Sequence, residues 1–343
     1  MKRKKNYIRF GVIIIALMFA VSLGWGLSVY RYALGEEVVK SAVIHIPSER
    51  ENLTFDEIFP DSVFKNFRYA EKMWEHYNPN GAVRGGCYTL KTGMSLRRVF
   101  NMVRAGLQTP VKIVLNPVRT MDRLAGMVSK FVEIDSLSLL VKLSDEKTAE
   151  HYGFSLQTFI GMFLPDTYEV YWNITAEQFL NKMQRQYEHF WNDERRQKAK
   201  ALNLSPIEVI TLASIVNEES NIPEDMDLIA SVYLNRLRKG IPLQADPTVK
   251  FAVGNFALKR VLKVHTEMES PYNTYKHRGL PPGPICIPSK RAIDAVLKNT
   301  PSDYLYFCAS ADFSGRHNFA RSLKEHNRNA AAYQSALNRA KIR

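Results

Sequence analysis

The sequence predicts an α+β fold tied to a membrane by a single N-terminal helix, and three observations carry that prediction. A charge-free apolar stretch runs from Gly11 to Tyr30. Strand-like and helix-like segments then alternate over about seventy residues, the pattern of a small α+β module. Beyond Thr120 helical periodicity dominates, and the helix that opens at Pro206 is apolar on nearly every side.

The apolar stretch, GVIIIALMFAVSLGWGLSVY, has about the twenty residues needed to cross a bilayer as a helix. Lys2, Arg3, Lys4, Lys5 and Arg9 precede it, so the positive-inside rule assigns residues 1–10 to a cytoplasmic tail and 11–31 to a span of the cytoplasmic membrane. The chain after Arg31 is then expected on the far, periplasmic or extracytoplasmic, side. A cleaved signal peptide is the rival reading. It would have a shorter apolar core and a small-residue cleavage site, whereas Trp25, Tyr30, Arg31 and Tyr32 suit the membrane interface.

At 343 residues the chain has room for two domains, each able to bury a core without disulfides. A hydrophobic share of 45% with 24% charged residues excludes both a disordered chain and a polytopic membrane protein. The net charge of +13 suggests nucleic acid only until it is divided. Residues 1–31 hold six of the 47 basic residues and no acidic one, leaving 41 against 34, or +7, for the rest. That remainder is scattered in pairs and triplets, which argues against nucleic acid and favours an acidic polymer of the cell envelope. Cys87, Cys286 and Cys308 show no metal-ligand spacing and read as small buried hydrophobes, with one disulfide as the alternative.

Val38 to Ile46 and Gly86 to Leu90 read as strands, Leu53 to Phe59 as a short helix, and Ser95 to Arg104 as a helix closed at Gly106. Val111 to Leu115 is a further strand. Helices are expected over Thr120 to Phe131, Thr175 to Leu202 and Asp227 to Lys239. Pro165 and Asp166 interrupt the apolar run Gly161 to Trp172, which marks a structured loop or strand edge.

The most informative helix is LSPIEVITLASIVNEES, Leu204 to Ser220. Ser205 suits the N-cap, Pro206 the first turn, and Glu208 completes a capping box. Val209, Leu212, Val216 and Glu219 share one stripe, while Glu218 follows Thr211 and Ser214 on a more polar side. A carboxyl on an apolar stripe resists ionisation and becomes a proton donor near neutrality, as cleavage of a glycosidic bond requires. Spacing alone leaves open a pair of solvated glutamates on the last turn.

Five motifs resemble, in order, those of the YceG-like family, the endolytic murein transglycosylases of the MltG type. They are LPDTY at Leu164 to Tyr168, LASIVNEES at Leu212 to Ser220, SVYLNRLRKGIPLQADPTV at Ser231 to Val249, PYNTYKHRGLPPGPICIPS at Pro271 to Ser289, and HNFARSLKEHN at His317 to Asn327. The ordered set is highly specific and spans most of the chain after the anchor. The resemblance implies that Glu219, which ends the Ala-Ser-Ile-Val-x-x-Glu run, is catalytic. Many relatives carry glutamate where this chain has Asn217, and an acidic-glycine pair where it has Asn116-Pro117-Val118. Glu219-Ser220 is similar to the Glu-Ser pair of lysozyme-like transglycosylases. The resemblance also implies a LysM-like module over 40–108, a catalytic domain over 109–343, and peptidoglycan glycan strands as substrate. It implies non-hydrolytic cleavage leaving 1,6-anhydro ends, no metal or cofactor, and peptidoglycan synthases as possible partners. Glycan binding by the module is part of that expectation, with a structural spacer as its alternative.

Residues with the chemistry of a sugar-binding groove cluster in the later motifs. Gln244 and Asp246 stand before Pro247, where the alternative is an Asx-turn. Tyr272, Asn273, Thr274 and Tyr275 combine aromatic faces with amide and hydroxyl groups, a mixture also found in packed loops. Asn235 and Ser220 complete the expected set. Gly279 to Pro288, with four prolines and two glycines, should form a rigid wall. His317 is read as a structural histidine rather than an acid-base partner, and Asp166 as the rival carboxylate or a turn residue. Two other functions remain in view, a hydrolytic muramidase using Asp246 or Asp166 as second carboxylate, and a non-catalytic wall-binding scaffold.

Overall fold

The computed structural model describes residues 2–50, 53–258 and 260–340; Met1, residues 51–52, residue 259 and residues 341–343, which include the first residue of the expected tail and the last three of the expected catalytic domain, lie outside the description. The described chain is mixed α+β and divides into two compact units. The first takes the chain up to Lys112 with Phe131–Glu133 and Glu169–Ile174; the second takes Ile113–Lys130, Ile134–Tyr168 and the chain from Thr175 onward.

The first unit begins with helix α1 (Lys2–Leu34), of which Tyr7–Leu34 is long and apolar enough to cross a membrane. Its side chains from Val12 to Leu27 are exposed, as a helix meant for lipid requires. Its last turns are instead built into the unit that follows. Tyr32 stacks on Tyr77 with ring centroids 3.9 Å apart, the Tyr69 hydroxyl donates to the Ser28 carbonyl, and Arg31 pairs with the buried carboxylate of Glu37. Strand β1 (Ala42–Ile46) is followed by α2 (Phe55–Ile58) and α3 (Phe67–Tyr77), then by β2 (Gly86–Leu90) and α4 (Leu96–Ala105). β1 and β2 pair antiparallel with Ile44 opposite Tyr88. Phe55, Phe59, Phe64, Trp74 and Phe100 fill the core between them and the helices. Gly106, at φ 71°, closes α4 in the left-handed region that favours glycine.

Strand β3 (Val111–Leu115) leads into the second unit. There follow α5 (Met121–Val128), α6 (Ser136–Leu143), α7 (Glu146–His151), β4 (Asp166–Val170), α8 (Ala176–Phe190) and α9 (Asp193–Ala201). The centre is α10 (Pro206–Glu219), packed against α11 (Pro223–Arg238), α12 (Asp246–Val253) and α14 (Lys290–Lys298), with the one-turn α13 (Lys263–Thr266) between the last two. A hairpin of β5 (Tyr306–Ala309) and β6 (His317–Ala320), with Ala309 opposite His317, and α15 (Leu323–Arg339) end the unit. Val209, Ile210, Leu212, Ile215 and Val216 of α10 are buried, each contributing about 1.5–3 kcal/mol relative to exposure.

Several expected boundaries move. The strand expected from Val38 starts at Ala42, because Val38 makes only an isolated bridge to Phe64. The helix expected over Thr175 to Leu202 is two helices. Trp191 leaves helical geometry to bury its indole, and the Asn192 side chain accepts from the Arg195 N–H to start α9. The helix expected from Asp227 starts at Pro223, a residue suited to a first turn. The ADPTV segment, expected as a turn, opens α12 with Pro247 in its first turn. Thr211 and Ser214 do not mark a polar face of α10. Both are buried, and their hydroxyls donate to the carbonyls of Ile207 and Thr211.

Candidate active site

Helix α10 sets the position of the site because both of its ends are specified. The Ser205 N–H donates to the Glu208 carboxylate at 2.7 Å, and the Glu208 N–H returns to the Ser205 hydroxyl at 3.4 Å. At the other end Ser220 turns extended (φ −152°), and its hydroxyl accepts from the Ile222 N–H at 3.1 Å. Ser220 is thus a turn residue between α10 and α11 and does not reach the pocket.

The two terminal glutamates go to different environments. Glu218 accepts from Arg119, with Nε 3.0 Å away, and Arg119 in turn lies over the Phe256 ring. Asn217 accepts from the Ser289 N–H at 3.0 Å and ties the proline-rich segment to the helix. Ser214 accepts from the Ile285 N–H in the same segment. A Cβ at Gly283 would stand 2.1 Å from the Gln157 carbonyl oxygen, so glycine is required there.

Glu219 points into a cavity of about 380 Å³ walled by Tyr233, Arg236, Gln244, Asp246, Tyr275, Tyr306, His317 and His326. The Tyr233 hydroxyl, buried on α11, donates to Glu219 Oε1 at 2.6 Å. Burial raises the Glu219 carboxyl to about 7; the Tyr233 hydrogen bond opposes this and the Asp246 charge adds to it. The group is surrounded by protein yet opens on the cavity, so it is partly exposed and still deprived of most of its hydration. Across the cavity the Tyr275 hydroxyl donates to Asp246 Oδ1 at 2.6 Å. Burial and that bond raise the Tyr275 phenol, which stays protonated and a donor.

The loop carrying Gln244 and Asp246 is held on both sides. Arg236 donates through Nη1 to the Pro242 and Leu243 carbonyls at 3.0 Å and to the Gln244 amide oxygen at 3.2 Å. Its Nε donates to the Leu305 carbonyl at 2.7 Å, joining this loop to the β5–β6 hairpin. Gln244 takes a positive φ of 52°, with its N–H donating to the Thr274 carbonyl. The Ala245 N–H donates to the Thr274 hydroxyl at 3.0 Å, and that hydroxyl meets Thr248 Oγ1 at 2.8 Å.

Of the residues expected from sequence, Glu219, Gln244, Asp246 and Tyr275 come together in one pocket. Asn273, Thr274, Tyr272, Asn235 and Ser220 do not join them. Asn273 is fully buried and donates to the Thr266 and Met268 carbonyls, and Thr274 is the clamp described above. Tyr272 packs on Phe251 at 4.7 Å. Asn235 donates to the Ser302 and Tyr304 carbonyls on another side of α11. His317 lines the pocket with its ring on Asp225 (Nδ1 to Oδ2, 2.8 Å). Asp166 pairs with Lys290 outside the pocket. Tyr233, Arg236, Tyr306 and His326 were not expected. A helical wheel would have found two of them, since Tyr233 and Arg236 are separated by about 60° on α11 and Asn235 faces elsewhere. The cysteines are free thiols, and no cluster of metal-ligating side chains occurs among the described residues.

A carboxylic acid kept protonated near neutral pH, opposite a second carboxylate in an open cleft with tyrosine walls, is the general acid arrangement of enzymes that act on glycosidic bonds. The chain belongs to the YceG-like family, whose model matches residues 50–332. It is 28% identical over 332 residues to a Bacillus subtilis protein named endolytic murein transglycosylase, covering 91% of each chain. A Streptococcus pneumoniae protein of the same name is 29% identical over 291 residues, which are 75% of this chain and 52% of that one. The crystal structure of a yceG-like protein from Listeria monocytogenes superposes with a TM-score of 0.56 at 27% identity, over 84% of this chain and 99% of the other.

Proposed function

We propose that the chain is a membrane-anchored endolytic lytic transglycosylase that cuts the bond between N-acetylmuramic acid and N-acetylglucosamine in nascent peptidoglycan. The observation that carries this is the Glu219 carboxyl, buried on Tyr233 and raised to about 7 at the floor of the pocket. In its acid form Glu219 protonates the leaving oxygen as the glycosidic bond breaks. The substrate's acetamido oxygen stabilises the cationic C1. Glu219, now a carboxylate, takes the proton from the muramic acid 6-hydroxyl as that oxygen bonds to C1, closing the 1,6-anhydro ring. The proton returns to Glu219 and no water is consumed. Gln244, Asp246 and Tyr275 supply acceptors, donors and an aromatic face for the sugars.

Residues 40–108 are proposed as a LysM-like module beside the membrane, 109–343 as the catalytic domain, and α1 as the anchor in the cytoplasmic membrane with its basic end inside. An enzyme so placed would work where strands emerge from peptidoglycan synthases, which are its expected partners. Purified full chain incubated with polymeric glycan should release shorter strands, and Glu219→Gln should release none. Equal cleavage by both would remove Glu219 from the mechanism. Asp246 favours one second reading, a muramidase in which it activates water; that enzyme would leave reducing ends heavier by one water than anhydro ends.

A further inference from the structure

The first unit holds an open groove of about 650 Å³ that begins at Ala33, in the last turn of α1. Its apolar surface includes Ala33, Met102 and Leu107, the last exposed, and its cations are Lys91, Arg97 and Arg98. Among the described residues no acidic side chain lines it; Glu36 approaches Gly93 beside the Lys91 turn. Helix α4 carries the two arginines on its exposed face and buries Leu96, Val99, Phe100 and Val103 on the other, with no acidic residue along its length.

We propose that this groove binds the phosphate head of an anionic membrane lipid in the outer leaflet, with the first carbons of the chains on its apolar surface. The proposal rests on α1 spanning the membrane, and three observations lead from there to the ligand. The groove is held at a fixed height, because at the end of α1 the Ser28 carbonyl accepts from Tyr69, Arg31 pairs with Glu37 and Tyr32 stacks on Tyr77, with no linker between helix and module. That height is the headgroup layer. Ala33 lies about 5 Å along the helix from the interfacial Tyr30, and each headgroup layer is about 5–7 Å thick. The charge matches, since three cations with an apolar floor complement a phosphate joined to hydrocarbon and offer nothing to a zwitterionic head that carries its own cation.

The test uses the full chain in nanodiscs of phosphatidylcholine doped with phosphatidylglycerol, with lipids retained after mild detergent release counted by native mass spectrometry. The wild type should retain phosphatidylglycerol at least about tenfold over its share of the bilayer, and in the triple variant Lys91→Gln, Arg97→Gln, Arg98→Gln that enrichment should fall several-fold, to the part the N-terminal tail supplies. The basic N-terminal tail is the same in both, so its attraction for anionic lipid cancels. A control that removes Lys40 and Lys72, exposed cations outside the groove, should keep the preference. Inorganic phosphate at high concentration should leave the lipid in place; displacement by phosphate would mean a free-phosphate site and overturn the lipid assignment. A preference unchanged in the triple variant, or lost equally in the control, would also overturn it. Flotation with vesicles in high salt separates the two layers of the argument, because a chain that fails to float refutes the anchor itself.

Discussion

Replacing Glu219 with Gln should abolish cleavage and, above neutral pH, make the protein more stable. In the folded chain burial holds this carboxyl at about 7, against an ordinary value of 4.5. Below pH 4.5 both the folded and unfolded states carry the proton, and burial costs nothing in charge. Between 4.5 and 7 the unfolded chain releases a proton that the folded chain keeps, so stability falls as pH rises. Above 7 the folded site holds an ion and the loss is complete, at about 3 kcal/mol before water in the open pocket reduces it. Gln is neutral throughout, has nearly the same shape, and still accepts from Tyr233. Calorimetry of the full chain should therefore show matching transitions at pH 4 and a transition of the catalytic unit several degrees higher for Glu219→Gln at pH 8.5, at about 2–4 °C per kcal/mol. A gap independent of pH, or a wild type more stable at high pH, would refute the placement of an ionisable acid in this pocket.

Other perturbations act through named contacts. Tyr233→Phe removes the bond that lowers Glu219, so the falling limb of the pH–activity profile should move upward and kcat should drop, with a stability loss of about 1 kcal/mol. Asp246→Asn removes a charge that raises Glu219, so the same limb should move downward; a limb that stays put in both variants would mean another group titrates in catalysis. Thr274→Val strands the Ala245 N–H, while the Thr248 hydroxyl keeps its bond to the Ala245 carbonyl, and should cost about 1–3 kcal/mol in denaturant unfolding while raising KM through displacement of Gln244 and Asp246. Arg119→Ala frees Glu218 outside the pocket and should leave the pH limb unmoved, which separates the roles of the two glutamates.

How much of this was readable in the sequence depended on how local the cause was. The α10 start follows from Ser205, Pro206 and Glu208, all within one turn, and Gly106 ends α4 for a reason confined to one residue. Helical spacing put Glu219 on the apolar stripe of α10, but the polar side that set Glu218 apart rested on Thr211 and Ser214, which are buried, so the resemblance carried the choice. The burial that raises its carboxyl depends on packing across the fold, and Tyr233, whose hydrogen bond opposes it, is fourteen positions away and gives no signal in the Glu219 segment. Asn273 and Thr274 looked like sugar ligands because amide and hydroxyl groups serve equally well to bind a ligand or to satisfy buried backbone. The Ala245 N–H, reached across the fold, makes Thr274 a clamp, and the Thr266 carbonyl, seven positions away, makes Asn273 a brace of its own loop. Tyr306 and His326 enter the pocket from the last hairpin and helix, whose segments are too short or too polar to announce themselves by periodicity.

The central claim is that Glu219 cuts the glycan without water, and digestion of glycan in heavy-oxygen water tests it most directly. Mass spectra of strands cut by the full chain should show 1,6-anhydro ends without heavy oxygen, and Glu219→Gln should produce no new ends. New ends that each carry one heavy oxygen would contradict the account and give the pocket to a hydrolase with Asp246 as its second carboxylate.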